Sequence, residues 1–453
     1  MQYSKRLFFT IIGLAWAVSV AAQPVVKQSL VLTNDQVEDQ DDICLWIHPN
    51  DPTQSTIIAS DKVAGKIFVY DLQGQTLQTL SDNYKPGNID VRYGFPIGGE
   101  LIDIVAFNNR DGNTLVVYKV DRNTRLLERI DTREIKTTNN YGLCLYLSPK
   151  TGLYNAFITA KNGHIQQFEL FENNGAVDAK LVREFNLSSQ TEGCVCDDET
   201  GQAYFGEEDE GIWKIGAEKE DGESPTMIAK VGDASGLADD VEGLTLYYAA
   251  NGTGYLIASS QGENRYTVFE RQPPHNPVGE FQIDGVTSTD GIDVANVPLG
   301  SEFPQGIFMY HNGESSPYPA GAASWKDIAS SISGGLLIDT NYWNPRFSKS
   351  TAVETPDELA PQDFSLNQNY PNPFNPETTI TFELNRPANV KLSIVNLTGA
   401  TIRTLIDGQL NAGQHRANWD GLSDAGKQAA AGTYLYRIES DNRIATRKLT
   451  LLK

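Results

Sequence analysis

The sequence predicts an all-β chain in two parts: a six-bladed β-propeller over residues 23–348 and an immunoglobulin-like β-sandwich over residues 363–453. Three observations carry this reading. A phrase recurs about every fifty residues, usually setting a carboxylate just before a short apolar strand. Its copies begin at Asp42 (DICLWIHP), Gly87 (GNIDVRY), Tyr141 (YGLCLYLSP), Glu192 (EGCVCDDETG), Glu242 (EGLTLYYAANG) and Asp290 (DGIDVANVPLG), at intervals of 45, 54, 51, 50 and 48 residues. A period of that size, rich in β-branched and aromatic residues and lacking 3.6-residue periodicity, suits a four-stranded blade better than a helical repeat. Short alternating strands such as KIFVYDL, TLVVYKV and HIQQFEL fill the intervals, with turn signals at Asp111-Gly112, Asn162-Gly163 and Asn251-Gly252. Finally, the pattern breaks at 349–362 and resumes as about seven strands in ninety residues, the size of a sandwich.

Taken in order, the N-terminus opens with Lys5 and Arg6, an apolar run from Leu7 to about Val20 and small residues up to Ala22. That run is short for a bilayer span, and residues 1–22 are expected to be a cleaved signal peptide. The propeller follows, with SWKDIASSI near its end expected as one short helix. STAVETPDELAP reads as an exposed linker. The final ninety residues supply TTITFEL, NVKLSIVNL, TIRTLI, HRANWDG, GTYLYRIES and ATRKLTLLK as strands.

Loss of the leader leaves 34 basic against 58 acidic side chains, a net charge of −24, which excludes nucleic acid and anionic membranes as natural partners and favours cations. Four cysteines in an exported chain raise the question of bridges. Cys194 and Cys196 lie two apart on one strand, a poor geometry for pairing with each other, and Cys44 and Cys144 belong to other blades. All four are expected as buried thiols.

If each phrase is the same strand of its blade, the residues opening the copies ring one axis, and acidic groups cluster there: Asp41 and Asp42, Glu192, Glu207 to Asp209, Asp239, Asp240 and Glu242, Asp284 and Asp290. Carboxylates converging on an axis repel by roughly 4 kcal/mol per pair at 4 Å and an effective dielectric of 20. Protonation or hard cations must relieve this. The five histidines show no paired spacing, so zinc is disfavoured; Asp, Glu, Gln261 and carbonyls suit calcium. A second set at strand ends, Lys62, Arg110, Tyr141 and Lys161, is cationic or phenolic and beside bound calcium would hold a polyanion.

Residues 41–314 resemble the β-propeller phytases in phrase after phrase, including DDICLWIHPNDP, NNRDGNT, SQTEGCVCDDETG, GEEDEGIWK and TSTDGIDV. The resemblance implies a calcium-dependent phosphomonoesterase that hydrolyses phytate (myo-inositol hexakisphosphate) by direct attack of a calcium-bridged water. It carries over Asp41, Asp42, Glu192, Glu208, Asp240, Glu242, Gln261, Asp284 and Glu314 as metal ligands and Lys62, Arg110, Tyr141 and Lys161 as phosphate contacts, with Lys62, Arg110, Tyr141, Glu192 and Glu208 as the catalytic group. It departs from the family at Val63, Asn162 and Ser288, which puts calcium affinity and substrate preference in doubt. From Phe364 onward the chain resembles the C-terminal sorting domain of the type IX secretion system, through LNQNYPNPFNPETTITFEL, AGQHRANWDG and AAGTYLYRI. This implies a secreted or cell-surface monomer whose tail engages outer-membrane secretion machinery. Two other readings compete: a non-catalytic, calcium-stabilised binding propeller, and a calcium-dependent lactonase or esterase. Simple binding would not need both residue sets, and lactonase chemistry would not need Lys62 and Arg110.

Overall fold

The computed structural model describes, with short breaks in each, residues 24–341 and 364–452. The leader and the linker lie outside the described residues. The chain divides into two units, Met1–Val353 and Glu354–Lys453. Both are built from β-strands, and the described residues contain one α-helix, Trp325–Ser331, where the short helix was expected. None of their helices is long and apolar enough to cross a membrane.

Six sheets make up the described part of the first unit, each built on an antiparallel meander whose innermost strand carries one copy of the recurring phrase; in the fifth, Val25–Val26 is added as a parallel strand. Those innermost strands, the first of each meander, are Gln40–Trp46, Pro86–Ile97, Asn140–Leu147, Thr191–Asp197, Val241–Tyr248 and Ile292–Ala295. Each contacts the next, and the sixth returns to the first, so the six form a closed ring, an arrangement consistent with a propeller. The beginning of the chain locks this ring: Leu30–Leu32 pairs with Ala320–Ser324 as the outer strand of the sixth sheet, and Val25–Val26 adds to the outer edge of the fifth.

The sheets pack face to face, which explains why their central strands are apolar on both faces. Phe157 of the third sheet meets Phe205 of the fourth edge-on, and Phe281 of the fifth meets Phe308 of the sixth. Thr56–Asp61 and Gly254–Ser260 are buried at every position. Each such aliphatic or aromatic side chain contributes about 1.5–3 kcal/mol on removal from water. The expected Asn251-Gly252 turn is present, both residues taking the left-handed conformation that such a tight connection requires.

The thiol expectation fails at one pair: Cys144 and Cys194 form a disulfide, while Cys44 and Cys196 are free and buried. Membership of different sheets was no obstacle, because the first strands of the third and fourth sheets are ring neighbours and bring the two Cα atoms to 5.6 Å.

In the second unit, Phe364–Leu366, Thr378–Leu384 and Gly413–Trp419 form one sheet, and Ala388–Val395, Thr401–Leu410, Gly432–Ser440 and Arg443–Leu451 the other. Ile380, Phe382 and Trp419 from the first share a core with Leu392, Ile394, Tyr436 and Leu449 from the second.

Candidate active site

The recurring phrase places a glycine directly after Tyr141, Glu192, Glu242 and Asp290, and the packing shows why. A Cβ on Gly142 would lie 2.0 Å from the carbonyl oxygen of Glu192, and one on Gly193 would lie 1.7 Å from that of Glu242. Gly243 meets the Asp290 carbonyl and Gly291 the Asp42 side chain in the same manner. Side chains here would force the inner strands apart. Without them, the residue opening each strand is drawn against its neighbour, and the polar groups collect at one end of the ring.

One part of that end is cationic. Lys62, in the turn after Thr56–Asp61, places its Nζ 2.6 Å from Asp290 Oδ2, 3.0 Å from Asp41 Oδ1 and 3.8 Å from Asp39 Oδ2. Arg110 donates from Nη2 to Asp41 Oδ2 at 2.9 Å and to Glu192, and from Nε to the Tyr141 carbonyl at 3.0 Å. Its guanidinium lies 4.5 Å from the Tyr141 ring centre, and the exposed Lys161 ammonium lies 4.3 Å from the same centre. Tyr141 therefore serves as a shared aromatic rest for two cations. Burial alone would raise the Asp41 carboxyl, but Arg110 and Lys62 hold it below the usual carboxylate range.

The other part is acidic, and of its three carboxylates Glu192 is the one that Arg110 reaches. Glu192, Glu208 and Glu242 are buried, and each offers an oxygen within 4.8 Å of the others'. Glu208 Oε1 and Glu242 Oε2 meet no hydrogen-bond donor. Burial pushes the Glu192 carboxyl up to about 7 despite Arg110. Burial likewise raises Glu208, and it raises Glu242 strongly, with Glu192 and Glu208 adding repulsion. Three buried carboxylates this close, two with orphaned oxygens, could serve as oxygen donors to a hard cation. They fit calcium on that chemistry.

The remaining expected ligands are distributed differently. Asp240, with a positive φ of 60°, adjoins Glu242, and Gln261 donates to Asp290. Asp284 is exposed at the end of Pro277–Ile283 and binds Gln28 through its carbonyl, and Glu314 accepts from Thr287 Oγ1 at 2.7 Å. Neither belongs to the converging trio. Asp42 points away from Asp41: its Oδ2 accepts from the backbone N–H of Ile89 at 3.0 Å in the neighbouring sheet. The three departures lie on the rim, with Val63 exposed and Ser288 exposed at a positive φ of 49°. Asp290, which touches both Lys62 and Gln261, was absent from the expected ligand set. Its signal was available, since it opens the sixth copy of the phrase as Glu192 and Glu242 open theirs.

Deeper along the same strands a second acidic group lines a central cavity: Asp42, Asp90, Asp198 and Asp293. Here the oxygens are satisfied. Asp90 accepts from Leu145 N, Asp198 from Leu147 N and Asp293 from Leu45 N, each donor lying on another sheet. Arg92 pairs with Asp90 at 2.9 Å and with Asp198 at 2.8 Å.

The family model described as Phytase matches residues 12–347, and that of the FlgD Ig-like domain matches residues 367–443. A 3-phytase of Bacillus subtilis (strain 168) is 44% identical over 288 residues, which are 60% of this chain and 74% of that protein. Similar solved structures are remote in sequence: regucalcin, a calcium-binding protein of Agrobacterium tumefaciens str. C58 (9% identity, 67% of this chain and 95% of that one, TM-score 0.42), and a luciferin-regenerating enzyme (13%, 66% and 94%, TM-score 0.45). The phytase match runs through every strand start that supplies the mouth, from Asp41 to Glu314, and with the Bacillus relative it makes the chain a phytase, a member of the phytase family.

Proposed function

We propose that the chain is a calcium-dependent, secreted phytase whose reaction takes place at the end of the ring where Glu192, Glu208 and Glu242 meet Lys62 and Arg110. The observation that carries this reading is the pair of orphaned buried oxygens on Glu208 and Glu242. Glu192, Glu208 and Glu242 would hold calcium, with Asp240, Gln261 and Asp41 at the margin and Asp284 and Glu314 serving a second position on the neighbouring loops. Calcium bound there would neutralise the trio, polarise phosphate oxygens and supply an activated water.

The chain's own residues do the rest. Lys62 and Arg110 turn their N–H donors from Asp41, Asp290 and Glu192 to the transferring phosphoryl group and stabilise the charge it gathers. Tyr141 keeps Arg110 and Lys161 oriented, and Lys161, exposed at the rim, takes a neighbouring phosphate of the same inositol ring. The six sheets are read as six blades, and the second unit as an immunoglobulin-like sandwich that serves as a type IX sorting signal after the leader has acted.

The test is phosphate release from phytate by the purified chain, measured before chelation, after it, and after calcium is restored. Release should vanish and return. Release unaffected by thorough chelation would overturn the proposal.

A further inference from the structure

We propose that His311 is a positioning residue for phosphate-ester hydrolysis in this chain: it pins Asp290 and, through Asp290, fixes the direction of the Lys62 ammonium. The inference rests on the reading that places the reaction at the Lys62 end of the ring. His311 ends the strand Ile307–His311 and is buried. Its Nδ1 accepts the backbone N–H of Asp290 at 3.3 Å and lies 3.3 Å from the Asp290 carboxylate. An Nδ1 that accepts leaves the ring proton on Nε2. That nitrogen is buried without a hydrogen-bond partner and faces Asp39 Oδ1 at 3.6 Å.

The four side chains close a loop. Asp290 binds Lys62, Lys62 lies 3.8 Å from the second oxygen of Asp39, and Asp39 faces His311 again. Asp39 is itself fixed, because its N–H donates to Asp61 at 3.1 Å and its carbonyl accepts from Lys62 N at 3.0 Å. Lys62 thus stands between three carboxylates, Asp39, Asp41 and Asp290, and the ammonium would follow whichever oxygen was free to move. Asp39 has its main chain held by the Asp61 carboxylate, and Asp290 has its own held by the rigid imidazole of His311. The shortest of the three distances to Lys62, 2.6 Å, is the one that Asp290 makes.

His311 touches no substrate in this arrangement, and its effect should appear in turnover rather than in binding. The experiment compares kcat and KM for phytate, with melting temperature, in the full chain at saturating calcium for Lys62→Met, His311→Leu, His311→Asn and His311→Gln. Misplacing a charge by a fraction of an ångström should lower kcat of His311→Leu by about 10–100-fold, with KM changed by less than about threefold. Asparagine can present an acceptor where Nδ1 stands, so His311→Asn should recover kcat to within about threefold of the parent, and His311→Gln, which reaches past that point, should remain low. Should the leucine variant not fold, the order of the two amides decides. Glutamine equal to or better than asparagine overturns the inference, as does parental kcat in His311→Leu alongside a disabled Lys62→Met. Equal losses in all three His311 variants that track a fall in melting temperature show a purely structural residue and overturn it too. A near-normal Lys62→Met is a different failure, since it removes the site reading itself.

Discussion

Two acidic groups belong to the same ring of sheets, and they are treated in opposite ways. In the central cavity, Asp90, Asp198 and Asp293 each accept a backbone N–H from another sheet, and Arg92 neutralises two of them. At the mouth, Glu192, Glu208 and Glu242 converge, and one oxygen each of Glu208 and Glu242 meets no donor. The cavity carboxylates act as hydrogen-bonding staples between sheets, a use that is complete in the folded chain. The mouth carboxylates are incomplete until something else arrives. Acidity alone therefore says little about function in this molecule; satisfaction of the acceptors is what separates stability from chemistry.

That distinction has a large experimental consequence. Glu208→Gln or Glu242→Gln keeps the volume but removes a charge from the trio, and should reduce phytate turnover by about 10²–10⁴-fold. The melting temperature of the chelated protein should hold or rise, since like charges within 4.8 Å of one another repel by roughly 3.5 kcal/mol or more per pair at an effective dielectric of about 20. Loss of turnover accompanied by collapse of the fold would show that the mouth is built like the cavity.

The converse substitution comes next in size. Asp198→Ala removes one of the two carboxylates on Arg92 and the acceptor of Leu147 N, leaving a buried guanidinium half-paired. The expected cost is about 3–5 kcal/mol of stability, read by urea or thermal unfolding. Activity per folded molecule should stay within about threefold of the parent. A variant of normal stability with impaired catalysis would place the cavity inside the functional site.

Much of this was legible in the sequence, and the limits have physical causes. The strands and the ring were visible because one phrase recurs, and it recurs because Gly142, Gly193, Gly243 and Gly291 must each admit a neighbouring strand. Lys62, Arg110, Tyr141 and Glu192 were named together from the sequence, and in the structure they converge around Asp41 and Arg110. Asp41 and Asp42 were read as one pair, whereas successive residues of a strand face opposite ways: one reaches Lys62 and Arg110, the other the next sheet. The Cys144–Cys194 bridge was missed because its fifty-residue separation hides the fact that equivalent positions in consecutive copies are spatial neighbours. Asp39 and His311 carry no motif at all; each matters only through what the closed ring brings to Asp290 and Lys62.

The smallest effect is the one that measures both groups in a single titration. Burial pushes Glu192 at the mouth up to about 7, and in the cavity it pushes Asp198 up to about 6 and Asp293 up to about 7. In the unfolded chain the same groups release their protons near 4. Between those values the folded state binds more protons than the unfolded one, so each group's contribution is fully present below about pH 4, declines as pH rises, and is lost above about 7. Asp41, held low by Arg110 and Lys62, has the opposite sign and fails only in stronger acid. Melting temperature of the chelated protein should therefore fall by several degrees from pH 5 to pH 8. Calcium added at pH 8 should recover the share that belongs to Glu192 and its neighbours, because a bound cation replaces the lost protons. It should leave the cavity's share untouched, and Asp293→Asn should remove part of that remainder. If calcium instead restored the whole decline, the cation would be satisfying the cavity as well, and the division between staples and an unfinished site would not hold.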